Sequence, residues 1–121
     1  MDKEAMDRQT HAITGSFIGR DFQLINLISM LSNLVTLYIV SSGTEAIIPV
    51  SIVILATLIF ALIAGLNQID TFKAWLSDMD EQQAKSNMGK LGQDAPIAMW
   101  KIIFSLTYLA MAIGQLYYLW V

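Results

Sequence analysis

Three apolar blocks without a single charged residue dominate this 121-residue chain and constrain what it can fold into. The uncharged runs cover residues 22–42, 46–66 and 102–121. At a rise of about 1.5 Å per residue, a helix of about 20 residues spans the ~30 Å hydrocarbon core of a bilayer. The sequence therefore predicts an all-α integral membrane protein with three transmembrane helices, at 22–42, 46–66 and 97–121.

The composition argues against the main soluble alternatives. Hydrophobic residues make up 55% of the chain and charged residues 14%, against about 25% charged in an ordinary soluble domain. Three buried helices of a soluble protein would need amphipathic partners, and the chain has too few polar residues to build them. A net charge of −3 offers no basic stripe for phosphates, so we expect no nucleic-acid partner. The absence of cysteine excludes disulfides, thiolate metal sites and iron–sulfur clusters.

The chain reads as one membrane domain, 1–121, with polar segments around the three spans. Residues 1–20 form a polar N-terminal segment, and residues 67–96 form an amphipathic connection between the second and third spans. Apolar side chains recur at helical spacing in this connection, which indicates an amphipathic helix on the membrane surface or against a partner. The alternative is a helical continuation of the second span into water. The apolar face consists of Ile69, Phe72, Trp75, Leu76 and Met79.

The distribution of basic residues predicts the orientation. All seven lie before the first span, between the second and third spans, or at the start of the third: Lys3, Arg8, Arg20, Lys73, Lys85, Lys90 and Lys101. The loop at 41–45 and the C-terminus contain none. The positive-inside rule then puts the N-terminus and the 67–96 connection in the cytoplasm and the C-terminus outside. We expect a multi-pass protein of a bacterial inner membrane.

The residues that usually carry chemistry are few. His11 is the only histidine, and it lies in the polar N-terminal segment, where a solvated side chain is the expected state. A haem needs axial ligands inside the membrane, and a zinc or di-iron site needs three or four convergent ligands. No span carries a carboxylate, lysine, arginine or histidine near mid-membrane, as proton and ion pathways usually do. We therefore expect no enzyme activity, no cofactor and no metal site.

A line of polar but uncharged and small side chains on each span is the most informative pattern. On the first span the spacing is 3-4-3, which keeps four residues on one helix face. The second span carries small residues at i, i+4 and i+8, which permit close approach of another backbone. The predicted line consists of Asn26, Ser29, Asn33 and Thr36 on the first span, Thr57, Ala61 and Gly65 on the second, and Ser105, Tyr108, Ala112 and Gln115 on the third.

Two functions fit this line. In the first, it packs helices together, since amides and hydroxyls hydrogen-bond across membrane helices. The line is more polar than three helices readily satisfy, so we expect an accessory or structural subunit of a multi-subunit membrane complex. Its partners would be the lipid bilayer and larger subunits. In the second, several copies turn the Asn26 and Asn33 face toward a shared lumen and form a small holin-like or channel-like pore. The likeness to phage holins is one of size only.

Overall fold

Five helices make up the described part of the protein. The computed structural model describes the backbone of residues 3–79 and 81–121, and the side chains of residues 8–79 and 81–121. The side chain of Lys3, which enters the basic count, therefore lies outside the described residues. In chain order the helices are α1 (Lys3–Ser42), α2 (Ile47–Ser77), α3 (Glu81–Lys85), α4 (Asn87–Gln93) and α5 (Ile97–Trp120).

The three predicted membrane-spanning helices are confirmed, since α1, α2 and α5 are each long and apolar enough to cross a membrane. The boundaries differ from the prediction at one end of the bundle. The polar N-terminal segment is not separate, because α1 runs unbroken from it into the first span. The 40 residues of α1 correspond to a length of about 60 Å, roughly twice the hydrocarbon thickness.

The amphipathic connection is divided among three helices. Residues 67–77 continue α2, as in the second of the two alternatives above, and the helix ends at Ser77. The two short helices α3 and α4 follow, with Ser86 capping α4 by accepting a hydrogen bond from Gly89 N (3.0 Å). Nothing between Gly65 and Ser77 favours a break, because that stretch contains neither proline nor a further glycine.

The helix order sets the directions of the spans. A tight turn joins α1 to α2, and Gly43 adopts the left-handed region there with a φ of 86°. Consequently α1 and α2 are antiparallel, and α5 runs parallel to α1. The start of α1, the end of α2 and the start of α5 lie together, and we call this the charged end of the bundle.

The core lies on α2, which packs directly against both α1 and α5. One apolar cluster, toward the charged end, contains Ala61, Ile69, Phe104 and Tyr108. A second, toward the opposite end, contains Val40, Ile54 and Ala112. The outer faces of the spans remain exposed and apolar, as suits contact with lipid. On α1 this face consists of Leu27, Leu31, Leu34, Val35 and Tyr38.

Candidate functional site

The structure turns the predicted line of polar and small residues inward, where the three spanning helices meet. Every member is buried or half-buried. We call this line the polar seam. It comprises Asn26, Ser29, Asn33, Thr36, Thr57, Ala61, Gly65, Ser105, Tyr108, Ala112 and Gln115.

Two hydrogen-bonded rungs connect α1 to α5 in the seam. Gln115 Nε2 donates to Asn33 Oδ1 at 3.0 Å, and Asn33 Nδ2 donates to the Ser29 carbonyl at 2.8 Å. Both amides are deeply buried, with exposed fractions of 8% for Asn33 and 6% for Gln115. The second rung lies closer to the charged end, where Tyr108 OH donates to Asn26 Oδ1 at 3.0 Å. Each rung thus joins the first and last spans of the same chain.

The rungs also define the register of the two helices. Both pairs are separated by 82 residues in sequence, and the two rungs lie seven residues apart on each helix. A constant offset over one heptad is the signature of parallel helices that pack with a repeat of 3.5 residues per turn. Asn26 and Asn33 on α1 therefore lie in register with Tyr108 and Gln115 on α5.

α2 contributes hydroxyls and small residues to the same interface. Ser32 and Thr57 share a hydrogen bond across α1 and α2, with 2.8 Å between Oγ and Oγ1. Ala61 is fully buried. A Cβ at Gly65 would overlap the Phe104 ring, so glycine is what allows this ring to lie against α2.

Two polar bridges lie near opposite ends of the α2–α5 contact. Lys101 Nζ donates to Asp70 Oδ1 at 2.7 Å, which closes the interface at the charged end. Trp120 Nε1 donates to Ser51 Oγ at 2.8 Å at the other end. The partners are 19 residues apart on each helix, as expected for antiparallel neighbours that remain in register across the membrane.

The bundle satisfies most of the seam without a second chain, contrary to the expectation that three helices leave it short of partners. The reason is that Asn26, Asn33, Tyr108 and Gln115 pair with one another or with helix carbonyls. Among the described residues, Ser29 Oγ and Gln115 Oε1 are the seam atoms that are buried without a hydrogen-bond partner.

A reciprocal contact locks α1 to α2 beyond the seam, at the charged end. The rings of His11 and Trp75 stack with centroids 4.4 Å apart and planes 5° from parallel. Trp75 Nε1 donates to the His11 carbonyl at 2.7 Å, and His11 Nε2 donates to the Trp75 carbonyl at 2.8 Å. A Cβ at Gly15 would come within 2.5 Å of the indole, so glycine makes room for it. We call these three residues the clamp.

The apolar face predicted for membrane or partner contact is largely covered by the chain itself. Ile69 and Leu76 are buried, while Phe72, Trp75 and Met79 are half-buried. The covering elements are α1 between His11 and Phe22, α4 and the start of α5. Ile69 and Leu76 are therefore not exposed to the membrane surface, because α1 extends alongside α2 on the N-terminal side of Arg20 and Asp21.

The clamp and its surroundings are what sequence reasoning missed. His11 was expected to be solvated, yet its ring is half-buried against a residue 64 positions away. One signal was present: His11, Gly15 and Ile18 follow i, i+4, i+7 spacing, which is one face of a helix. That face packs on the end of α2, with Ile18 buried.

The described residues bring together no group of three histidine, aspartate or glutamate side chains in positions to hold a metal ion. The seam is neutral, and its chemistry is hydrogen bonding between helices. Comparison with known protein families, with curated proteins and with solved structures finds no match to this chain.

Proposed function

We propose that this chain is a non-enzymatic accessory or structural subunit of a multi-subunit membrane complex. In this proposal the three spans anchor the subunit, and the paired ends of α1 and α2 contact a larger partner outside the membrane. The observation that carries it is the length of these two helices beyond the bilayer.

The lengths are compared with a hydrocarbon core of about 30 Å. α1 contains 40 residues and α2 contains 31, which correspond to about 60 Å and about 46 Å. Because the turn at 43–46 joins them at the opposite end, both excess lengths emerge at the charged end. The result is a stalk of two helices, and the clamp holds these two helices together. A bundle that only filled membrane would have no use for such a rigid projection.

Exposed apolar side chains on the stalk support a protein partner. Ile13 and Phe17 lie one turn apart on α1, with about half of each side chain exposed. They precede Arg20 and Asp21, the charged pair that marks the membrane edge of α1. Apolar side chains in this position, outside the hydrocarbon region and off the clamp face, favour contact with another protein surface.

Orientation and location complete the proposal. All seven basic residues belong to the segments at the charged end, so we assign that end to the cytoplasm by the positive-inside rule. The membrane is a bacterial inner membrane in this proposal. The pore alternative requires Asn33 and Gln115 to separate and face a lumen between copies.

The test is co-purification in mild detergent with subunit stoichiometry measured by mass spectrometry. We expect a larger subunit at a fixed ratio, lost in Ile13→Asp and retained in Thr10→Asp, an exposed control one turn away on α1. A ladder of homo-oligomers with no second protein would contradict the proposal. Recovery of the same partner at the same ratio with Ile13→Asp would contradict the assigned contact.

A further inference from the structure

A large cavity lies at the charged end, under α4 and between the ends of the spanning helices. Its volume is about 740 Å³. That value lies within the range of roughly 300–1,000 Å³ usual for small-molecule sites. α1 contributes the wall around the clamp, α2 the wall from Phe72 to Leu76, α4 the roof, and α5 the side at Trp100, with Met79 and Gln83 of the connection completing the lining. We call it the end cavity.

The lining selects an apolar ligand. Aromatic and aliphatic side chains dominate it, and Asp94 is the one lining residue with a formal charge in the part of the chain that the structure describes. A charged or strongly polar ligand would lose its hydration there with few groups to replace it. The lining residues come from all five described helices, and a partner helix about 10 Å across would need a groove that is open along one side.

The mouth of the cavity is apolar as well. Met88 and Leu91 of α4 frame it with exposed fractions of 77% and 68%, and Trp100 is exposed beside them. Exposed apolar side chains with a tryptophan among them are typical of residues that lie in the lipid interface. The composition of the mouth therefore suits contact with a bilayer surface.

A second cavity extends the first toward the membrane core. It measures about 270 Å³ and lies between Ile18, Phe22 and Phe104. Phe72 and Trp100 line both cavities, with their ring centroids 6.2 Å apart. Rotation of these two rings would join the cavities into one elongated apolar space.

The roof is attached lightly. Gln93 Nε2 donates to the Leu76 carbonyl at 3.0 Å, and the α4 contacts with the long helices are confined to α2 among the described helix pairs. Two flexible methionines, Met79 and Met88, line the space beneath it. A roof of this kind can adjust to an occupant without disturbing the spans.

We propose that the end cavity binds the aliphatic chain of a membrane amphiphile, with the polar head of the amphiphile at the mouth. The occupant is either an acyl chain of a bilayer phospholipid or the chain of a free fatty acid. The proposal rests on the cavity alone and is independent of the proposed subunit role.

The test uses fluorescence quenching of Trp75 by bromine atoms on the ligand chain. The full chain carries Trp120→Phe and Trp100→Phe, the second of which keeps an aromatic ring in the cavity wall. Trp75 is then the remaining tryptophan, and the protein is reconstituted in phosphatidylcholine nanodiscs. One series contains phospholipid with dibrominated acyl chains, and another receives dibrominated stearic acid in unlabelled lipid. Variants at Ala95 and Ala98 separate quenching inside the cavity from quenching by bulk acyl chains.

We expect saturable loss of Trp75 emission in at least one series, and which series shows it identifies the source of the chain. Ala95→Phe fills the cavity from its wall and should abolish the loss, while Ala98→Phe, which lines neither cavity, should preserve it. Unchanged Trp75 emission maxima without bromine and unchanged thermal unfolding would show that both variants are folded. Absence of quenching in both series, or equal quenching in Ala95→Phe and Ala98→Phe, would overturn the proposal.

Discussion

The Asn33–Gln115 rung is the interaction whose removal gives the most informative measurement. The Gln115 side chain makes one hydrogen bond, to Asn33, and its Oε1 is already buried without a partner among the described residues. Asn33→Ala therefore leaves the whole Gln115 amide unpaired in the membrane interior. An interhelical bond of this kind contributes about 0.6–1.7 kcal/mol. Stranding the buried amide adds roughly 1 kcal/mol or more, so we expect a total loss of about 2 kcal/mol.

A double-mutant cycle separates the pairwise contribution from the cavity each truncation leaves. We expect Asn33→Ala and Gln115→Ala to be less destabilising in combination than the sum of the two, with a coupling energy of about 1 kcal/mol. The assay is reversible unfolding in mixed detergent micelles, followed by circular dichroism and by tryptophan fluorescence. Trp120 contributes to that fluorescence, and its indole donates a hydrogen bond to Ser51 across α2 and α5.

Thr107→Ala is the matched control for this cycle. Thr107 is exposed on α5, and its hydroxyl bonds to the Ile103 carbonyl of its own helix. The free energy of unfolding should change by no more than about 0.5 kcal/mol. Additivity of Asn33→Ala and Gln115→Ala within about 0.3 kcal/mol would refute the reasoning, because independent sites behave in that way.

Three further predictions concern packing, conductance and orientation. Gly65→Val should destabilise the bundle by about 1–3 kcal/mol in the same unfolding assay, because its side chain would occupy the place of the Phe104 ring; an unchanged stability would contradict the close packing. Asn33→Asp should impair folding, since a carboxylate near mid-membrane costs roughly 2.5–3.5 kcal/mol, and it should give no conductance in planar bilayers; a stable, cation-selective conductance would favour the pore. A cysteine at Gly43 should label from outside intact cells and one at Ser86 only after permeabilisation, and the reverse pattern would refute the cytoplasmic assignment.

The sequence predicts the elements and faces of this fold better than their partners. The three spans follow from uncharged runs, and the inward face of α1 follows from the spacing of Asn26 and Asn33. That Asn33 meets Gln115 depends on the register of two helices separated by 82 residues. That register is set by tertiary packing, because it depends on how α2 packs against α1 and α5.

The charged end was less predictable for a related reason. Residues 1–20 are mostly polar, so the helical face formed by His11, Gly15 and Ile18 has few apolar members to reveal it. Trp75 was identified as part of an apolar face, but the helix that covers it comes from the opposite end of the sequence. The burial of His11 and the covering of Trp75 have one cause. α1 is a continuous helix, whereas the sequence predicts a separate polar segment at residues 1–20.

The polar seam lies inside one chain, and a designed disulfide across the same helix interface tests this arrangement. Ser32 and Thr57 have hydroxyl oxygens 2.8 Å apart on α1 and α2, and the chain has no cysteine of its own. Cysteines at these two positions would place their thiols against each other across the contact between α1 and α2. We expect mild oxidation in membranes to give an intrachain disulfide in monomers, with each single-cysteine variant remaining uncrosslinked. Disulfide-linked dimers, or failure of the double variant to oxidise, would contradict the packing of α1 against α2 within one chain.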